Sequence, residues 1–173
     1  NLGHRGAAGR DPETGDGAGI LIQMPHEFFQ TVAKQLGFAL PPKGSYAVGT
    51  IFLPRNTSER SLCELIVQRA VESEGQDFLG WRDVPTDISK IGAGAIKAKP
   101  VIRQIFVGSG SNVPNEEAFE RKLYTIRKII EKTVSESGLQ EANDFYVVSL
   151  FSNRIIYKGL LFATQIQDFY PDL

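Results

Sequence analysis

Hydrophobic positions in residues 1–40 predict an irregular segment, a short strand and a helix. Up to Gly19 the chain is rich in glycine and polar residues and shows neither a helical nor a strand period. Ile20 to Ile22 then form a short β-rich run. Apolar residues from Phe28 to Leu36 recur at helical spacing, and Gly37 suits the position after the helix end. Residues 1–40 are therefore predicted to contain a loop, a strand and a helix.

Residues 44–159 follow a regular order of strands and helices. Strand-like runs are predicted at Ser45 to Leu53, Phe78 to Val84, Val101 to Val107 and Asp144 to Phe151. The first helix begins after Asn56, which forms a capping-box-like start with Glu59. The second helix has one apolar face, which carries Phe119, Leu123, Ile126, Ile130 and Val134. This β-α-β-β-α-β order is the split βαβ arrangement of ferredoxin-like folds and predicts an α+β class.

Two connections complete the prediction for this part of the chain. Thr86 to Pro100 is rich in glycine, alanine and lysine and is expected to be a loop. Asn153 is expected to turn the chain into a partner strand, Arg154 to Gly159, which would form a hairpin with the strand before it.

The balance of charges excludes some classes of partner. Lysine and arginine number 19 against 20 aspartates and glutamates, which gives a net charge of -1 and a pI of about 6.2. The chain therefore has no basic footprint for nucleic acid or an anionic membrane surface. Its apolar runs are also far too short to span a bilayer. We expect neither nucleic acid nor a membrane among its partners.

The few cysteines and histidines limit the chemistry of the chain. Cys63 is the only cysteine, so the chain alone cannot form an internal disulfide or a multi-cysteine zinc or iron–sulfur site. This usage fits a reducing compartment and predicts a cytoplasmic location. The position of Cys63 among leucines of a predicted helix favours a buried structural role over a nucleophilic one. His4 and His26 lack partners at metal-ligand spacing, so no metal site is expected, and His26 is interpreted as a surface or packing residue.

Two glycine-rich segments are candidates for nucleotide binding, but neither fits the dinucleotide fingerprint. Gly15 to Gly19 is followed by a predicted strand, whereas the fingerprint requires a strand before the glycines and a helix after them. Gly108-Ser109-Gly110 does lie between a strand and a helix, but Val113 occupies the position of the third glycine. Both segments are therefore interpreted as loops.

Several strings of residues are more specific than a generic loop or strand. Near the start they are His4-Arg5-Gly6-Ala7, Asp11-Pro12, Thr14 to Ile20, Pro25-His26 and Phe28-Phe29. Later strings are Trp81 to Pro85, Pro100 to Val107, Phe119 to Tyr124, Tyr157 to Leu161 and Phe169 to Leu173. Together they resemble the glutamine amidotransferase domain of the glutamate synthase family over residues 1–173. That domain is a class II amidotransferase of the N-terminal nucleophile hydrolase superfamily.

The resemblance implies a fold and an activity. The fold is a four-layer αββα N-terminal nucleophile hydrolase sandwich, in which the β-α-β-β-α-β unit is an elaboration. The activity is hydrolysis of the side-chain amide of L-glutamine, with the ammonia passed on to 2-oxoglutarate to make L-glutamate. An amino-terminal cysteine supplies the nucleophile and the base, and it is expected upstream of Asn1. The substrate-binding arginine and the oxyanion Asn-Gly pair are expected downstream of Leu173. No catalytic residue is therefore expected within the chain, which alone should be inactive.

The resemblance also implies residues that support the pocket, and partners outside the chain. The pocket-supporting residues are His4, Arg5, Gly6, Asp16, Gly17 and Gly19. Arg5 and Asp16 are hypothesised to form a buried ion pair or to support the active loop. No cofactor is expected in this segment, whereas FMN and an iron–sulfur cluster are expected in the rest of the parent enzyme. Expected partners are the other glutamate synthase domains and either ferredoxin or a nicotinamide-dependent small subunit. The alternative is a non-catalytic ferredoxin-like module that binds a small ligand or contacts a subunit.

Overall fold

A computed structural model describes residues 13–173, which divide into two units. Unit 1 consists of the described residues up to Leu21 together with Val84–Lys99 and Ile156–Leu173. Unit 2 consists of Ile22–Asp83 and Pro100–Ile155.

The secondary structure is mixed. In chain order the elements are β1 Ala18–Gln23, α1 His26–Leu36, β2 Tyr46–Leu53, α2 Thr57–Ser73, β3 Asp77–Asp83, α3 Ala93–Ala98, β4 Val101–Gly108, α4 Glu116–Ser135, β5 Tyr146–Phe151, β6 Arg154–Gly159 and α5 Ile166–Phe169. Short 3₁₀ turns at Ala142–Asp144 and Ala163–Gln165 precede β5 and α5. The α+β class is therefore confirmed, and it is consistent with the N-terminal nucleophile hydrolase fold.

Unit 2 is built on a four-stranded antiparallel sheet with the strand order β3-β4-β2-β5. β2 lies in the interior of the sheet, and its register with β4 runs from Tyr46 opposite Gly108 to Leu53 opposite Val101. The elements from β2 to β5 contain the strands and long helices of the predicted β-α-β-β-α-β order, with the short helix α3 inserted before β4. The sequence pattern therefore identified the architecture of this unit.

One face of the sheet and two helices enclose the core of unit 2. Alternate residues of β2 and β4, such as Ile51 and Ile105, point into this core. α4 contributes the five residues of its predicted apolar face, all of which are buried: Phe119, Leu123, Ile126, Ile130 and Val134. Phe106 points to the opposite face, where its ring contacts those of Phe29 and Phe38 at centroid distances of 5.4 and 5.2 Å. α1 therefore covers the other side of the sheet.

Among the described residues, β3 is one of the two edge strands of this sheet, with β5 at the other edge, and it is irregular. Its register against β4 shifts between Phe78 and Gly80. Arg103 of β4 reaches Asp83 at the end of β3 with an Nε–Oδ1 distance of 2.8 Å and Glu64 of α2 with an Nη1–Oε1 distance of 2.7 Å. The same guanidinium lies 5.4 Å from the centre of the Trp81 ring. These contacts join the end of β3 to β4 and α2.

Unit 1 has no comparable core helix among its described residues. β1 pairs with β6, and the boundary between the units passes through both strands. The helices α3 and α5 of this unit each span fewer than two turns. Tyr157 and Tyr170 pack edge to face with ring centroids 5.0 Å apart, and the Tyr170 hydroxyl donates to the carbonyl of Lys158 at 2.7 Å.

The structure corrects three local predictions. The hairpin is wrong because β5 pairs with β2 whereas β6 pairs with β1. The predicted loop Thr86 to Pro100 contains α3. Asn56 does cap α2 by accepting hydrogen bonds from the amides of Ser58 and Glu59, but the carboxylate of Glu59 accepts from the amides of Gln140 and Glu141. The second hydrogen bond of the predicted capping box, from the Asn56 amide to Glu59, is therefore not formed. Glu59 instead bonds the distant segment at 140–141.

Candidate functional site

The glycine-rich segment Glu13–Gly19 is the described part of the sequence-predicted site. Gly15 is buried, and a Cβ atom placed on it would lie 2.2 Å from the carbonyl carbon of Leu161 and 2.4 Å from the amide nitrogen of Phe162. Such distances are far inside van der Waals contact. The backbone at position 15 therefore rests directly on the backbone at 161–162, and only glycine fits there.

Hydrogen bonds from other segments of unit 1 anchor the residues before Gly15. The Glu13 carbonyl accepts from the Gly92 amide at 3.2 Å and from Nε2 of Gln165 at 3.1 Å. The Thr14 hydroxyl oxygen accepts from the Ala95 amide at 3.2 Å. The start of the glycine-rich segment is thus fixed by the α3 region and by the turn before α5.

The remaining predicted residues of this segment lead into β1. Asp16 is exposed, and Gly17 has a φ of 134°, which favours glycine. Gly19 lies within β1, where an added Cβ would be 2.9 Å from the Cβ of Lys158. Glycine thus permits the turn and the close strand approach.

His4, Arg5 and Gly6 lie outside the described residues. The ion pair between Arg5 and Asp16 therefore stays a prediction. So does the role of all six residues in supporting a pocket.

Two of the motif strings come together in unit 1. Tyr157 to Leu161 includes β6 residues, and Phe169 to Leu173 ends the chain. The contacts of Tyr157 with Tyr170 and of Tyr170 with Lys158 join these strings, and the Tyr157 hydroxyl also donates to Oδ2 of Asp172 at 3.4 Å. Burial raises the pKa of Tyr170, so its hydroxyl stays protonated and can donate. The first of these strings ends at Leu161, whose backbone lies against Gly15.

Cys63 has the structural role that the sequence indicated. Its side chain is fully buried in the core of unit 2. Burial, together with the negative charges of Glu59 and Glu64, raises the pKa of the thiol from 9.0 to about 11. The thiol is therefore protonated at neutral pH and is a poor nucleophile.

His26 and the Gly108–Gly110 loop also make internal contacts. His26 is partly buried at the start of α1, and its Nδ1 lies 3.0 Å from the hydroxyl of the buried Tyr46. In the loop, the Gly110 amide donates to Oε1 of Gln76 at 3.0 Å, and the Ser109 amide donates to the carbonyl of Ser45 at 2.9 Å. Because these two amides are already bonded within the protein, the loop does not present them to a phosphate group.

The described residues contain neither a metal-ligand cluster nor a membrane-spanning helix. Within residues 13–173, no three or more histidine, cysteine, aspartate and glutamate side chains are grouped so as to hold a metal ion. Over the same range, no helix has the length and apolar character that crossing a membrane requires.

Comparison with known families identifies the family to which the chain belongs. The family profile described as "Glutamine amidotransferases class-II" matches residues 1–173. The chain belongs to this family, and the alternative of a non-catalytic ferredoxin-like module is not favoured.

Its relatives include the glutamate synthase [NADPH] large chains of Bacillus subtilis (strain 168), 46% identical over 99% of this chain, and of Azospirillum brasilense, 43% identical over 98%. Ferredoxin-dependent glutamate synthase 2 of Arabidopsis thaliana is 36% identical over 98% of the chain. The chain spans only 11%, 11% and 10% of the lengths of these three relatives.

Sequence reasoning did not identify the residues that hold the glycine-rich segment in place. Gln165 and Ala95 bond residues 13 and 14 from positions 152 and 81 residues away in the sequence. Neither residue belongs to a motif string. Contacts over such distances leave no local pattern, so these partners become visible only in the folded chain.

Proposed function

We propose that this chain is part of the glutaminase domain of a glutamate synthase. In the full-length protein this domain hydrolyses the side-chain amide of L-glutamine, and the ammonia combines with 2-oxoglutarate to yield L-glutamate. The observation that carries the proposal is the match of residues 1–173 to the class II glutamine amidotransferases. The names of the relatives support the assignment to glutamate synthase.

The nucleophile for this reaction is proposed to lie outside the chain. A cysteine attacks an amide carbon as a thiolate, or as a thiol next to a base. Cys63 is the only cysteine of the chain, and it is buried with a raised pKa. The isolated chain should therefore be inactive, and the thiol that forms the thioester belongs to a cysteine other than Cys63.

The glycine-rich segment Glu13–Gly19 is proposed to form part of the wall of the glutamine pocket. Support comes from its rigid attachment through Glu13, Thr14 and Gly15, followed by the exposed Asp16. A polar side chain on a fixed backbone can be held in one geometry at low entropic cost. His4, Arg5 and Gly6 are proposed to act with this segment.

The cofactors and the electron donor are proposed to belong to other parts of the protein. An iron–sulfur cluster is held by several cysteine thiolates, and the chain contains a single, buried cysteine. The cluster is therefore proposed to lie in other domains, and FMN is proposed to lie there with it. NADPH-dependent and ferredoxin-dependent relatives both match nearly the whole chain. We therefore propose that residues elsewhere in the full-length protein select between ferredoxin and a nicotinamide-dependent small subunit. We also propose that the enzyme is cytoplasmic.

A glutaminase assay with labelling by a glutamine-analogue electrophile tests this proposal. The full-length protein should release glutamate and ammonia from glutamine, and the isolated chain should release neither. The C63A variant should remain active, and the analogue should modify a cysteine other than Cys63. Hydrolysis by the isolated chain, or modification of Cys63, would contradict the assignment of the nucleophile.

The Arg5→Ala variant of the full-length protein tests the predicted pocket-supporting role of Arg5. It should reduce glutamine turnover or lower the melting temperature. Unchanged kinetics together with an unchanged melting temperature would remove Arg5 from the proposed site.

A further inference from the structure

The side chain of Gln165 joins three separate backbone segments of unit 1. Its Nε2 donates to the carbonyl of Glu13 at 3.1 Å and to the carbonyl of Lys90 at 2.9 Å, and its Oε1 accepts from the amide of Phe162 at 2.8 Å. Both N–H groups of the amide and one lone pair of its oxygen are therefore used. We name this arrangement the Gln165 clamp.

The clamp acts where the glycine-rich segment is also held by other contacts. The Glu13 carbonyl that accepts from Gln165 accepts a second hydrogen bond from Gly92. Gly15 rests on the backbone at 161–162, and residue 162 supplies the amide bound by the clamp. Glu13 and Gly15 are thus attached to the same short stretch of chain, one through a side chain and the other by direct backbone contact.

The carbonyls of Glu13 and Lys90 each need an N–H donor, so the side chain at position 165 must end in an NH2 group. Glutamate at this position would place a carboxylate oxygen against two carbonyl oxygens, which repel it. Methionine has a similar length but offers no N–H group. Gln165 lines a cleft of about 420 Å³ together with Glu13 and Lys90, so a side chain of this size can be replaced without overpacking.

We propose that Gln165 is a positioning residue for glutamine hydrolysis, acting through the segment Glu13–Gly19; this inference rests on the proposed function. The clamp fixes the start of the segment so that the exposed residues after Gly15 keep one geometry in the pocket wall. Loss of the clamp loosens the wall in the free enzyme. Glutamine then binds more weakly, while the reacting groups, which lie elsewhere, keep their chemistry.

Unit 2 offers a matched control in Gln76. Its Nε2 donates to the carbonyl of Glu74 at 3.0 Å and to Oδ1 of Asn112 at 2.9 Å, and its Oε1 accepts from the amide of Gly110. Gln76 therefore makes the same number of hydrogen bonds with the same amide group. None of its partners belongs to the glycine-rich segment, so its loss should affect structure without affecting glutamine binding.

The test compares Q165M, Q165E and Q76M in the full-length protein. Hydrogen exchange of the peptides that carry Gly92 and Ala95 should become about tenfold faster in Q165M and stay unchanged in Q76M. The KM for glutamine should rise about tenfold in Q165M and at least as much in Q165E, with kcat within about twofold of wild type. Q76M should leave both constants unchanged.

The possible results separate this inference from the proposed function. Unchanged exchange in Q165M would show that Gln165 does not hold the segment. Faster exchange with unchanged KM, or an equal rise of KM in Q76M, would reduce Gln165 to a structural residue. If the wild-type protein does not hydrolyse glutamine, the proposed function fails, and the exchange measurement alone decides whether the clamp holds the segment.

Discussion

The two units of the chain are stabilised by different kinds of contact. Unit 2 buries a continuous apolar core between its sheet and the long helices α2 and α4. Unit 1 buries a smaller apolar set, which includes Ile91, Leu161, Ile166 and Phe169, and adds hydrogen bonds from side chains to backbone, packed tyrosines and the contact of Gly15 with the backbone at 161–162. Among the described residues, each unit exposes five large apolar side chains, although unit 1 is the smaller of the two; those of unit 1 are Ile20, Leu21, Ile88, Ile96 and Leu160.

This difference shows which changes each unit tolerates. Burial in unit 2 is distributed over many side chains, so the loss of one hydrogen bond removes a small fraction of its stabilisation. In unit 1 a few polar atoms and one close backbone contact fix several segments at once. We therefore expect unit 2 to respond mainly to changes of volume in its core and unit 1 to respond to single atoms.

The largest effect is expected from Phe119→Ala in the core of unit 2. The ring is fully buried between α4 and the sheet. Removing it should lower the free energy of unfolding by about 3–5 kcal/mol. Denaturation of the full-length protein and hydrogen exchange should locate this loss in unit 2. The exposed Tyr124→Ala on the same helix is the control, and equal losses in both variants would contradict a core-based unit 2.

Gly15→Ala should have the next largest effect and should act on unit 1. The added methyl group would meet the backbone at 161–162, which cannot move without breaking other contacts. We expect a cost of about 2–3 kcal/mol, faster exchange around residues 92–95 and 157–162, and loss of glutamine turnover. Gly37→Ala is the control, because a Cβ there meets no atom within 4 Å although its φ is 84°. Wild-type exchange and turnover in Gly15→Ala would refute the close contact.

Alkaline pH should weaken unit 2 through Cys63. The folded state keeps the thiol proton up to its pKa of about 11, whereas the unfolded state loses it near 9.0. The contribution of the thiol is therefore complete below pH 9 and is lost as the pH rises towards 11, by about 2 kcal/mol at pH 10.5. Denaturation curves at pH 8 and 10.5 should show a smaller loss in C63A than in wild type. Equal losses would assign the effect to other groups, such as Tyr46.

The smallest effect is expected from Tyr170→Phe in unit 1. The variant keeps the ring contact with Tyr157 but loses the hydrogen bond to the Lys158 carbonyl. Hydrogen exchange should report a local loss of about 1 kcal/mol around β6. Tyr124→Phe, whose side chain is 63% exposed, should change nothing. An unchanged exchange rate in Tyr170→Phe would show that unit 1 does not depend on this polar contact.

The sequence predicted unit 2 better than unit 1 for a physical reason. Helix faces and strand alternation follow from local burial, so α4 and the strands β2 to β5 were predicted within a few residues. The pairing of β6 with β1 was missed because the turn signal at Asn153 describes the turn alone and not the partner of the strand. The Gln165 clamp was missed because its partners lie up to 152 residues away.

The irregularity of β3 has a consequence for solubility. An outermost strand presents unpaired backbone groups that can recruit a strand of another molecule. In β3 the register shift between Phe78 and Gly80 bends this surface, and charged residues stand at both ends, at Asp77 and Asp83. The Arg103 guanidinium forms an ion pair with the second of these. These features discourage the addition of another strand at the β3 edge of unit 2.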